Sequence, residues 1–168
     1  KSRRANNNPP EFIYIEEIII PDNITTIESY TFSASSRLKS ITLPNSVTQI
    51  GEYAFQYCSS LKSVSLQQGI EEISPYAFFN CTALEEINLP DSLTKLGHWA
   101  FCGCTSLKSI KIPQNVKEIT VHTFMGCESL QSVEFTKGLE SIGMVAFRDC
   151  TSLESIVLPE GLKTIDKW

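Results

Sequence analysis

Along most of the chain, apolar residues return in one fixed order. Between Leu61 and Cys81 they fall at Leu61, Val64 and Leu66, then Ile70 and Ile73, then Ala77, Phe78 and Cys81, with mostly polar residues between. The first group has the alternation of a short strand with one buried face. A turn follows, marked by Gly69 here and by Pro21, Pro44, Pro90, Pro113 and Pro159 in other copies. Proline fixes φ and has no N–H to donate, so it ends strand pairing at the same place each time. Ile70 and Ile73 form a second buried pair, aligned with Val47/Ile50, Leu93/Leu96, Val116/Ile119 and Leu139/Ile142. The segment from Ala77 to Cys81 then predicts a tight helical or 3₁₀ turn, with alanine where backbones pack closely and phenylalanine filling the middle.

The order repeats every 23 residues without a slip, at Phe32, Phe55, Phe78, Phe101, Phe124 and Phe147. Leu38, Leu61, Leu84, Leu107, Leu130 and Leu153 keep the same period, as do Cys58, Cys81, Cys104, Cys127 and Cys150. A fixed period of this length marks a solenoid, in which each coil buries its apolar face only against its neighbours. Residues 12–168 are therefore read as one solenoid of about six coils. Phe12, Ile13 and Tyr14 open a half-repeat cap whose Ile15, Ile18 and Ile20 match Leu38, Ile41 and Leu43. The last coil stops at Trp168, short of the next phenylalanine position. That truncation leaves apolar core and a strand edge to be covered by a longer natural array, a partner or a second copy.

The run from Ile41 to Phe55, ITLPNSVTQIGEYAF, followed by Cys58, resembles the BspA-like, or treponemal, class of leucine-rich repeats. The likeness extends over roughly residues 15–168. Thr31 and Thr123 stand in place of the alanine, Ser35 in place of the first cysteine, and Gln67 and Thr136 in place of the proline. The resemblance implies a horseshoe or arc with a parallel sheet on one face and short turns on the other. It also implies a surface, secreted or envelope protein that binds other proteins, often as an adhesin.

Composition narrows the partners. The formal charge is -5, and Lys1, Arg3 and Arg4 carry three of the 14 basic residues, so the remainder is more acidic still. Such a body repels phosphate backbones, which argues against nucleic acid. No apolar run approaches the ~20 residues of a membrane helix. The segment 1–11 is polar, asparagine-rich and contains Pro9 and Pro10, and reads as a disordered leader, a linker or a processing flank.

The five-cysteine column reads as a ladder of buried, reduced thiols, although stacked neighbours ~4.8 Å apart also fall within disulfide reach. Cys102 stands in a different column and is expected to face outward as a reactive thiol. His98 and His122 lie in adjacent coils, and with Cys102 could approach a metal, but no fourth ligand has the right register. Glu71-Glu72 and Glu85-Glu86 look like paired carboxylates, yet no histidine or lysine is placed to perturb them. With no phosphate loop or Ser-His-Asp order, neither catalytic residues nor a cofactor or metal is assigned.

Two surfaces remain for a protein partner. The outward strand columns include Ser63, Ser65, Glu86, Asn88, Lys111 and Glu134, which are small or polar and offer no aromatic anchor. On the opposite side, expected to be convex, run Tyr30, Tyr53, Tyr76, Trp99 and His122, flanked by Phe79, Cys102 and Met125. Either these rings merely stack over the core, or they form an apolar patch for a host or envelope protein or for a second copy in a homo-oligomer.

Overall fold

The computed structural model describes residues 14–167. The leader expected over 1–11, the start of the half-repeat at Phe12 and Ile13, and Trp168 lie outside them.

Each 23-residue unit makes one coil with three sides. The first side is the LxxIxL segment: β2 (Ser40–Thr42), β4 (Ser63–Ser65), β6 (Glu86–Ile87), β8 (Ser109–Ile112) and β10 (Ser132–Phe135). The second side also forms strands, which the apolar pattern alone did not predict: β1 (Thr26–Ile27), β3 (Gln49–Ile50), β5 (Glu72–Ile73), β7 (Lys95–Leu96), β9 (Glu118–Ile119), β11 (Ser141–Ile142) and β12 (Thr164–Ile165). All pairing is parallel and steps by one repeat, as in Ile41 with Val64 and Ile50 with Ile73. Ile19 bridges Thr42 in the same register.

The third side is neither helix nor strand. The expected 3₁₀-type bonds are present, Ala54 N–H to Gly51 O and Gln56 N–H to Tyr53 O among them. Left-handed residues interrupt them, with φ of 57° at Tyr53 and 59° at Tyr57, so each remains a single turn. The N–H groups freed by this geometry point along the solenoid. Tyr53, Phe55 and Tyr57 donate to the carbonyls of Pro75, Ala77 and Phe79 in the next coil, at 3.3, 2.8 and 2.9 Å. Helical φ/ψ would have turned these donors inward and left the coils unjoined on this side.

Inside, the phenylalanines stack face to face. Phe55, Phe78, Phe101 and Phe124 are fully buried, with adjacent ring centroids 5.1–5.5 Å apart and nearly parallel planes. Coils approach closely enough to demand glycine in places. A Cβ on Gly97 would lie 2.4 Å from the Pro75 nitrogen, whereas Ser74 and Thr120 hold the same position in alternate coils. In the last coil the core positions are more open, Leu158 being 38% and Ile165 45% exposed.

Both strand ladders part at one place. The pairing β2-β4-β6 is separate from β8-β10, and β1-β3-β5-β7 is separate from β9-β11-β12. Across that seam the Thr120 hydroxyl donates to the Leu96 carbonyl at 3.2 Å, the place taken by a backbone N–H in Gly51, Ser74, Gly97 and Gly143. The third side continues unbroken, with Trp99, Phe101 and Gly103 donating to Val121, Thr123 and Met125.

Candidate functional site

The aromatic column forms a second, outer stack. Ring centroids are 4.8 Å apart for Tyr30–Tyr53, 4.7 Å for Tyr53–Tyr76, 5.8 Å for Tyr76–Trp99 and 3.9 Å for Trp99–His122, all within 13° of parallel. Every one of these residues has positive φ, 57–63°, which swings the side chain out of the turn and aligns it with its neighbour one coil away. Faces therefore cover faces, and the ring edges meet solvent. Tyr30 is 55% exposed and Tyr53, Tyr76, Trp99 and His122 are half-buried. Phe79 sits edge-on against Tyr57, Tyr76 and Trp99. Stacking and edge exposure thus coexist. Tyr57, 48% exposed beside Phe79, extends the patch and is missing from the expected set. Its column contains Ala34, Asn80, Gly103, Gly126 and Asp149 as well, so no repeated aromatic signalled it.

Cys102 corrects an expectation. It is buried, 7% exposed, and burial pushes its thiol up to about 11. Its small side chain stands between the large Phe79 and Met125 of the same column, in a turn closed by Cys102 N–H to Trp99 O. The other five cysteines are buried and free, in keeping with the ladder reading. Each thiol donates to a phenylalanine carbonyl 26 residues earlier, as Cys58 does to Phe32 at 3.0 Å and Cys81 to Phe55 at 3.0 Å.

The histidines do not join Cys102. His98 packs edge-on against Tyr76, while His122 lies flat on Trp99. Among the described residues no three of His, Cys, Asp and Glu are grouped to hold a metal. Desolvation, then Arg148 and His98, hold the His122 imidazole below its usual pKa. The neutral ring is the folded form, so unfolded chains bind more protons as pH falls. This part of the stability is present above the usual histidine pKa of 6.5 and is lost as pH drops through the depressed folded value. We expect thermal midpoints to fall between pH 7 and 5, and the fall to shrink in His122→Tyr, which keeps an aromatic ring in the stack; an unchanged slope would remove His122 as the cause.

On the strand side, Ser65, Glu86, Asn88, Lys111 and Glu134 are exposed and Ser63 is half-buried, in columns that follow the two strand ladders. Lys111 and Glu134 pair across adjacent strands at 2.8 Å. The carboxylate pairs also have lysine partners, contrary to expectation. Lys108 Nζ is 2.7 Å from Glu85 and Lys95 Nζ 3.3 Å from Glu72, each lysine coming from the next coil. The hydrogen bond and charge of Lys108 hold Glu85 below the usual carboxylate range. These are exposed interactions, screened by solvent, and they add little to stability. No helix among the described residues is long and apolar enough to cross a membrane.

Comparison with known proteins agrees with this architecture. The profile of the BspA type leucine rich repeat region matches in six copies, over residues 11–130 and 71–168. A leucine-rich repeat protein of T. pallidum superposes with a TM-score of 0.64 at 26% identity, covering 88% of this chain and 80% of that one. A leucine-rich cell surface protein of Faecalibacterium prausnitzii A2-165 gives a TM-score of 0.74 at 27% identity, over 85% of this chain and 47% of the other. The pneumococcal vaccine antigen PcpA shares the fold, with a TM-score of 0.60 at 24% identity, over 89% of this chain and 35% of its own length. This chain therefore spans less than half of the latter two proteins. Curated protein sequences contain no match. The parallel coils, the columns that build them and the six profile copies together place the chain in the BspA-type leucine-rich repeat family.

Proposed function

We propose that this chain is a non-catalytic protein-binding module of an exported, surface-displayed leucine-rich repeat protein. The carrying observation is the outer aromatic stack, whose edges give Tyr53, Tyr76, Phe79 and Trp99 a continuous half-buried surface. Tyr and Trp are the residues that dominate binding hot spots, and rings already fixed by stacking lose little freedom on binding. His122 and Met125 extend this surface, and the polar strand columns supply a second, smoother one. The cell surface description of the Faecalibacterium protein supports display outside the cell. Binding of the folded chain to a panel of purified extracellular proteins tests the reading. A bound protein released by Tyr76→Lys but retained by Lys111→Glu supports the aromatic side; the reverse pattern moves the site to the strands. No binding across the panel counts against the module reading.

Self-assembly through the same side is a second reading, favoured by the exposure of Tyr57 and Met144, 48% and 46%. Light scattering behind size exclusion separates the two. An oligomer that persists in reductant and dissociates in Tyr57→Lys supports assembly, and a monomer at high concentration ends it.

A further inference from the structure

The segment from Pro21 to Thr25 contains Asn23-Ile24-Thr25, an Asn-x-Thr acceptor sequence for N-linked glycans; Asn80-Cys81-Thr82 is another. The fold treats them differently. In later coils the column of Asn23 holds glycine at Gly69, Gly138 and Gly161, and side chains bonded to the preceding coil at the other three positions. Ser46 donates to Ile24 O at 2.7 Å, Ser92 to Ile70 O at 2.6 Å and Asn115 to Asp91 O at 2.7 Å. Asn23 makes no side-chain hydrogen bond among the described residues, and both it and Thr25 are exposed. The turn is closed by Ile24 N–H to Pro21 O at 3.1 Å and precedes β1, so a group attached there leaves the strand pairing intact.

Asn80 is locked into the stack. It has φ of 56°, its N–H donates to Cys102 O at 2.8 Å, and its Oδ1 lies 2.0 Å from where a Cβ on Gly103 would sit. The middle residue of that sequence, Cys81, is fully buried with its thiol on the Phe55 carbonyl. A glycan on Asn80 would have to share space with the next coil.

We infer that Asn23 is an N-glycosylation site and that Asn80 is not. The inference rests on the exported reading, because the donor is a polyprenyl-diphosphate-linked oligosaccharide used by a membrane transferase. In the transfer the Asn23 Nδ2 bonds to C1 of the first sugar and the C1–O bond to the diphosphate breaks. The polyprenyl diphosphate leaves with the electron pair, and the amide proton passes to a base of the transferase. No oxidant or reductant is consumed.

The test is intact mass of the full chain, secreted from a glycosylating eukaryotic host, before and after peptide N-glycosidase. The microsomal fraction is assayed in the same way if the chain is retained. One glycan is expected, lost completely in Asn23→Gln and Thr25→Ala and kept in Asn80→Gln. An unmodified chain, or a glycan that survives Asn23→Gln, overturns the inference. Protease accessibility on intact source cells tests the exported reading separately, so an exposed but unmodified chain sinks the glycan and leaves the module standing.

Discussion

Phe101→Ala will remove a large share of the stability of the solenoid. Phe101 is fully buried, with the Phe78 ring 5.2 Å away on one face and the Phe124 ring 5.5 Å away on the other. Truncating a buried phenylalanine costs ~3–5 kcal/mol through lost transfer energy and the cavity left behind. The void cannot collapse, because backbone bonds fix the coils on either side of it. Phe101 N–H donates to Thr123 O and Phe78 N–H to Ala100 O, at 2.9 and 2.8 Å. The upper half of the range is therefore expected, against a typical domain total of ~5–15 kcal/mol. Because coils interact only with neighbours, the lesion also divides the array, so urea unfolding should broaden or separate into two transitions. A loss below about 1 kcal/mol with a single sharp transition would show that the inner stack is not what couples the coils.

Thiol labelling gives the second large effect. All six cysteines are buried and free, and burial raises Cys102 and Cys150 to about 11 against a usual 9.0. Only the thiolate reacts, so at these two positions its amount near neutral pH is ~100-fold lower before any steric protection is counted. Burial also pushes Cys81, Cys104 and Cys127 up, and their thiols are committed to phenylalanine carbonyls. The folded protein is expected to react with an aromatic disulfide reagent at least ~100-fold more slowly than a free thiol. Denaturant should expose all six at once. Rapid native labelling confined to Cys102 would restore the exposed-thiol expectation, and disulfides formed under mild oxidant in the folded state would overturn the reduced ladder.

How much of this was legible follows from where the information lies. Inward columns such as Phe32–Phe147 and Leu38–Leu153 announce themselves, because burial demands the same residue type in every coil. The ladder register follows from the period alone, and so do the Lys–Glu pairs, had each glutamate been compared with the residue 23 positions on: Glu85 with Lys108, Glu140 with Lys163. Left-handed backbone was hidden, since it occurs at Tyr30, Ala34, His122 and even the β-branched Val145, none of which advertises positive φ. Without that conformation the third side reads as a helical turn and the rings cannot be seen to overlap. Cys102 was misread for the same reason: its direction is set by the left-handed Trp99 and Gly103 around it, not by its place in the pattern.

The seam between the two sets of ladders gives the molecule an anisotropic mechanics. A rod tied by hydrogen bonds along three edges resists bending in every direction. Between β6 and β8 the strand side keeps Lys108 N–H on Glu85 O at 3.2 Å, and between β7 and β9 the Thr120 hydroxyl on Leu96 O at 3.2 Å, while the turn edge keeps its full set of backbone bonds. There the resistance to bending is lowest in one plane, with the turn edge as its pivot. Opening the strand side there breaks fewer backbone bonds than between other coils, with Trp99, Phe101 and Gly103 holding the fold line. A bend costs least there, and it would change the spacing of groups along the strand columns.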